Sequence, residues 1–126
     1  MTIEHIAIWT NQLEDLKNFY CHYFGATSGE KYHNPKKQFT SYFLSFSSGA
    51  RLELMYKPDL KSAGDLAQVG LAHFAVSLGS VEEVDRLTQE LQQANVTHVD
   101  GPRRTGDGYY ESTFLDPDGN LIEITA

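Results

Sequence analysis

An α+β fold built from two copies of a β-α-β-β-β module is predicted for this chain. Three observations predict it. A His-bearing strand signature occurs twice, as Glu4-His5-Ile6-Ala7-Ile8 and Ala72-His73-Phe74-Ala75-Val76. A Gly-x-x-apolar-Glu-apolar signature also occurs twice, running from Gly49 to Leu54 and from Gly119 to Ile124. The two His are 68 positions apart and the two Glu 70, so both markers recur in the same order at nearly equal offsets. That is the mark of an internal repeat. Third, each His segment is followed by an amphipathic helical pattern.

The first helix is expected to start at Asn11, with Glu14 completing a capping box. Leu13, Leu16, Phe19, Tyr20, Tyr23 and Phe24 follow at three- and four-residue spacing, and Gly25 ends the run. Extended stretches are expected at 27–33, 39–47 and 50–56. In the second half Ser80 and Glu83 form the box, and Val81, Val84, Leu87, Leu91 and Ala94 make the apolar stripe. Extended stretches follow at 97–105, 109–116 and 119–125. Turns separate them at Asn34-Pro35, Ser47-Ser48-Gly49, Gly106-Asp107-Gly108 and Asp116-Pro117-Asp118-Gly119. Module 1 covers about 1–57, a polar linker about 58–69, and module 2 about 70–126, together one domain.

The composition excludes several classes. With 126 residues, 10 Lys+Arg against 17 Asp+Glu give a formal charge of −7, which disfavours nucleic acid as a partner. The 40% hydrophobic and 21% charged content is that of a globular chain, not a disordered one. No run approaches the roughly 20 apolar residues that span a bilayer, and the first residues lack a signal-peptide pattern. Cys21 is the single cysteine, which excludes an intrachain disulfide and fits a reducing cytoplasm. It reads as a small buried residue on the first helix. Asp116 and Asp118 read as turn formers and not as a calcium loop.

Alternation along the strands carries the functional reading. His5 shares a strand face with Ile3, Ala7 and Trp9, and Glu53 shares one with Arg51 and Met55; Leu52 and Leu54 point the other way. His73 and Glu123 are placed in the same phase. Four equivalent strand positions thus aim two imidazoles and two carboxylates at one side of the sheet. Two carboxylates brought together repel, and a divalent cation with neutral imidazoles cancels their charge. Nitrogen and oxygen donors of this kind suit Zn²⁺, Ni²⁺, Co²⁺ or Mn²⁺. The competing reading is that a strand Glu is solvated or paired with Arg51; it does not account for the recurrence of both residue types in both halves.

At this point the chain resembles the vicinal oxygen chelate (VOC) superfamily, the glyoxalase–bleomycin resistance–dioxygenase family, and most closely its glyoxalase I-like branch. The resemblance rests on His5-Ile6-Ala7-Ile8, Phe19-Tyr20, Leu52-Glu53-Leu54, His73-Phe74-Ala75-Val76 and the closing Phe114-Leu115-Asp116-Pro117-Asp118-Gly119-Asn120-Leu121-Ile122-Glu123. It implies paired βαβββ modules forming an incomplete barrel around a divalent metal, nickel or zinc first, with cobalt or manganese as further candidates. It implies His5, Glu53, His73 and Glu123 as metal ligands, Glu123 as the proton-moving base and Glu53 as its partner. It further implies a lyase or isomerase moving a proton through an enediolate of a small oxygenated substrate, in a homodimer whose sites lie at the interface. The linker permits a site within one chain or across two. The alternatives are another metal-dependent member such as an epimerase, or a non-catalytic, bleomycin-resistance-like binding protein.

One departure bears on the substrate. Bacterial glyoxalase I proteins typically carry an Arg shortly after the first His, for the glutathione carboxylate; here Trp9 stands there, and Lys57 stands where Asn is common. A missing guanidinium removes a charge-assisted pair of roughly 1.5–3 kcal/mol. Arg51, Lys57, Arg103, Arg104, Tyr109 and Tyr110 are candidate substitutes, and Trp9 could form a flat wall for an apolar or aromatic substrate.

Overall fold

The structure, a computed structural model, describes residues 2–61, 70–106 and 108–126. Most of the expected linker, and Asp107 of the Gly106–Gly108 turn, lie outside the described residues. The chain divides into two compact units, Met1–Ser62 and Ala63–Ala126. Among the described residues no helix is long and apolar enough to cross a membrane.

In the first unit β1 (His5–Trp9) leads to α1 (Leu13–Tyr23), then β2 (Thr27–Ser28), β3 (Tyr32–Asn34), β4 (Phe39–Ser45) and β5 (Arg51–Tyr56). The open sheet runs β1-β5-β4-β2, with β3 also on β4; β1 and β5 are parallel and the other pairs antiparallel. Leu16, Tyr20, Leu44 and Leu54 are fully buried between α1 and one sheet face. Each such apolar side chain contributes roughly 1.5–3 kcal/mol.

Two local expectations are corrected. The stretch 27–33 is two short strands. After Gly29 N–H donates to Phe43 O at 2.9 Å, the chain leaves the ladder, and the Lys31 ammonium is held at 2.7 Å by Glu14 of α1. The Asn11–Glu14 capping box does not form. Gln12 occupies the cap position without a side-chain cap bond, and Thr10 Oγ1 accepts from Gln12 N–H at 2.8 Å. The Glu14 carboxylate accepts instead from Lys17 (2.7 Å), Lys31 (2.7 Å) and the Tyr42 hydroxyl (2.9 Å). Two cationic donors outcompete one neutral backbone amide.

In the second unit the order is β6 (Phe74–Ser77), α2 (Val81–Gln93), β7 (His98–Arg104), β8 (Tyr110–Leu115) and β9 (Leu121–Thr125). The sheet runs β6-β9-β8-β7, again with one parallel pair, β6 with β9. The Ser80 hydroxyl accepts from Glu83 N–H at 3.2 Å, so this cap forms. Val84, Leu87 and Leu91 of α2 are buried, as are Phe114, Ile122 and Ile124 on the helix-facing side of the sheet.

One turn joins β8 to β9, and one glycine sets how closely β7 lies against β8. Asp116 is 4% exposed; its Oδ1 accepts from the amides of Asp118 (3.0 Å) and Asn120 (2.8 Å), and Gly119 takes φ +83°. At Gly101 (φ +90°) a Cβ would lie 2.5 Å from Glu111 O, so only glycine lets β7 approach β8 here.

Candidate metal centre

The two units place a His and a Glu in the same relation. In the first, Glu53 is the Cα partner of Ala7, and His5 lies two residues earlier on the same strand face. In the second, Glu123 is the Cα partner of Ala75, and His73 again lies two residues earlier, just ahead of β6. Both arrangements follow from the parallel pairing of a unit's first and last strands. His5 Nε2 is 3.8 Å from Glu53 Oε2, and His73 Nε2 is 3.5 Å from Glu123 Oε2. A cation with metal–nitrogen and metal–oxygen distances near 2.0–2.2 Å holds neighbouring donors about 3–3.5 Å apart. Each pair is thus close to the spacing of two ligands on one ion. Among the described residues no cluster of three or more His, Cys, Asp or Glu side chains has metal-holding geometry.

Exposure is matched as well. The imidazoles are 40% and 41% exposed and the carboxylates 14% and 18%. Each carboxylate is therefore sunk between flanking side chains, with its imidazole nearer solvent.

The surroundings differ between the units. Glu4 contacts His5 Nδ1 and pairs with the Arg51 guanidinium. These two contacts, His5 first, hold the Glu4 carboxyl below the usual carboxylate range. With Nδ1 engaged, Nε2 is left toward Glu53, the orienting role that outer carboxylates play for ligating imidazoles. The Arg51 guanidinium also stacks 4.1 Å from the Phe43 ring centroid. Arg51 thus serves Glu4, not Glu53, as the competing reading required. Sequence reasoning missed Glu4, since the second copy of the repeat has Ala72 at that place.

Beside Glu123, strand alternation puts Thr113 and Glu111 on the same face. Arg103, the register partner of Glu111, bridges to it at 2.9 Å and to Asp100 at 2.6 Å. Asp100, then other acidic neighbours including Glu123, hold the Arg103 guanidinium above its ordinary range. Arg104 and Tyr110 lie on the opposite face. The Tyr110 hydroxyl donates to Asp85 of α2 at 2.6 Å, which raises the phenol's pKa, and Arg104 sits 5.5 Å from the Tyr110 ring centroid. Of the basic dipeptide it is therefore Arg103, not Arg104, that shares the face of Glu123.

On the face of His5 and Glu53, Trp9 is 46% exposed. It meets Phe39 edge to face at 6.2 Å, and the Lys57 ammonium lies 4.7 Å from its ring centroid.

A family model described as the Glyoxalase/Bleomycin resistance protein/Dioxygenase superfamily matches residues 2–124. No curated protein matches the chain. Among solved structures, a trypanothione-dependent glyoxalase I from Leishmania major is similar with a TM-score of 0.81 and 23% identity, over 99% of this chain and 86% of that one. A glyoxalase family protein from Enterococcus faecalis is similar with a TM-score of 0.80 and 25% identity, over 98% and 96%. Glyoxalase I from Zea mays gives 0.81 and 22%, over 98% of this chain but 44% of that one. At these identities the Leishmania and maize likenesses show the fold.

Proposed function

The chain belongs to the Glyoxalase/Bleomycin resistance protein/Dioxygenase superfamily, and we propose that within it the protein is a metal-dependent lyase or isomerase of the glyoxalase I kind. The observation that carries this reading is the recurrence of one His–Glu geometry, two residues out of register, in both modules. His5, Glu53, His73 and Glu123 are the ligands in this reading, with nickel or zinc as the ion. The donor set fits. Two neutral imidazoles and two carboxylates balance a divalent charge, and each pair has nearly the spacing that one ion requires.

When bound, such an ion supplies Lewis-acid stabilisation of charge developing on substrate oxygens. The rest is done by side chains. Glu123 takes the proton beside the substrate carbonyl and returns it to the adjacent carbon, with Glu53 as its counterpart. Glu4 fixes the His5 ring so that Nε2 faces the carboxylate. Arg103 holds Glu111 and so keeps a second acid on that face neutralised. In the proposed homodimer the ligand pairs come either from one chain or from two.

The test is metal content by mass spectrometry on protein purified without added metal, and after nickel or zinc loading. Near-stoichiometric metal that falls on His5→Ala and on Glu123→Ala is expected. Unchanged content in both variants would remove the basis of the site and leave a ligand-binding protein. Turnover of methylglyoxal with glutathione, and then with other thiols, tests the activity. No turnover with any thiol rejects the glyoxalase assignment and leaves the metal site standing. Sedimentation of wild-type protein reads the oligomeric state.

A further inference from the structure

Trp9 is the single tryptophan of the chain, and nearly half of it is open to solvent. It ends β1 on the face that carries His5, beside Met55 of β5. Phe39 meets it edge to face at 6.2 Å, and Tyr32, 54% exposed, lies 6.1 Å beyond Phe39. These three rings form an aromatic cluster on the sheet face that carries His5 and Glu53, with planes 87° apart between Trp9 and Phe39 and 58° apart between Phe39 and Tyr32. Above Trp9 stands the Lys57 ammonium, 4.7 Å from the ring centroid.

Lys57 is set apart by its place over Trp9. Lys17 and Lys31 share Glu14, and Arg51 is held by Glu4. Like Lys36, Lys37, Lys61 and Arg104, Lys57 pairs with no carboxylate among the described residues, although the chain carries seven more acids than bases. A cation over an aromatic face gains about 0.5–1 kcal/mol at an exposed site, which places the ammonium without neutralising it. An exposed aromatic cluster beside a cation that no carboxylate among the described residues pairs with complements a ligand that is aromatic at one end and anionic at the other.

We propose that this face binds a small aromatic carboxylate, with its ring against Trp9, Phe39 and Tyr32 and its carboxylate on Lys57 Nζ. Trp9 and Lys57 are then specificity-determining residues. The inference rests on the proposed function, in taking the His5–Glu53 face as the ligand-binding face, and it names the class of substrate admitted there.

The sole tryptophan makes the test direct, because one indole N–H resonance reports on the site. Metal-free protein is titrated with phenylacetate, with benzyl alcohol (the ring without the charge) and with acetate (the charge without the ring). Phenylacetate is expected to shift the Trp9 resonance saturably, and to bind at least about tenfold more tightly than either half-probe. Lys57→Gln, at an exposed position, is expected to weaken phenylacetate about fivefold and to leave benzyl alcohol unchanged. An unmoved Trp9 resonance, acetate binding as tightly as phenylacetate, or an unchanged phenylacetate affinity in Lys57→Gln would each overturn the proposal. Metal retention, measured separately on the loaded protein, decides the chelation reading without moving any of these results.

Discussion

His5 has two ring nitrogens, and Glu4 occupies one of them. That contact decides which nitrogen can serve as a ligand, so Glu4 is a positioning residue in the proposed centre. Glu4→Gln keeps the shape and loses the charge that holds the ring. It is expected to lower nickel or zinc affinity about tenfold with the fold intact, read by competition with a chromophoric chelator; undiminished affinity would remove the role. Glu14 acts on stability. Lys17, Lys31 and then Tyr42 bind its carboxylate and draw its pKa down to about 2. A carboxyl whose folded pKa lies below its unfolded value adds stability above the unfolded value and loses it as pH falls toward the folded one. Near neutrality Glu14→Gln is expected to cost only about 1 kcal/mol, because the group is half exposed. The difference should close as pH falls from about 4.5 to about 2 in parallel urea titrations. None of this was legible in the sequence. The spacing from Asn11 to Glu14 suits a capping box, but spacing cannot show that Lys31, seventeen residues on, will return to the same carboxylate.

Elements read well where a single local rule governs them, and poorly where two compete. Ser80 caps α2 through its hydroxyl, which accepts from Glu83 N–H, so Ser80→Ala is expected to cost about 1 kcal/mol in chemical denaturation. The stretch from 27 to 33 has strand-forming ends and a Gly29-Glu30-Lys31 centre; it divides into β2 and β3 there, and Lys31 in the break reaches Glu14. The close approach of β7 to β8 is a third case. The extended stretch expected at 97–105 contains Gly101, but the sequence does not show that Gly101 lies against the carbonyl of Glu111. Gly101→Ala demands both a left-handed backbone and space that is absent. It is expected to destabilise by at least about 2 kcal/mol, and to disturb the Arg103–Glu111 pair that the same bend positions. A melting temperature within a degree of wild type would show that β7 can move aside.

At the scale of the chain the repeat was the informative feature, and it was legible because it is written in residues that strands cannot hide. A His and a Glu recur against apolar neighbours in both halves, and the structure gives them one shared register, Ala7 opposite Glu53 and Ala75 opposite Glu123. The differences between the copies, Glu4 against Ala72 and Arg103 beside Glu111, were not legible, because a repeat directs attention to what is common. The proposed chelation has a consequence that only the whole chain can show. A His–Glu pair from one module offers two donors, and two donors hold a borderline divalent ion weakly; four hold it tightly only if both modules contribute. Binding to the folded state alone stabilises it by about 2.7 kcal/mol at a hundredfold excess over Kd. Zinc or nickel is therefore expected to raise the calorimetric melting temperature of chelator-treated protein by several degrees. His5→Ala, Glu53→Gln, His73→Ala and Glu123→Gln should each abolish that rise, whichever half they fall in, while leaving the metal-free melting temperature near wild type. A rise that survives the loss of one module's pair would mean that the other pair binds the ion by itself, and the four-ligand centre would have to be abandoned.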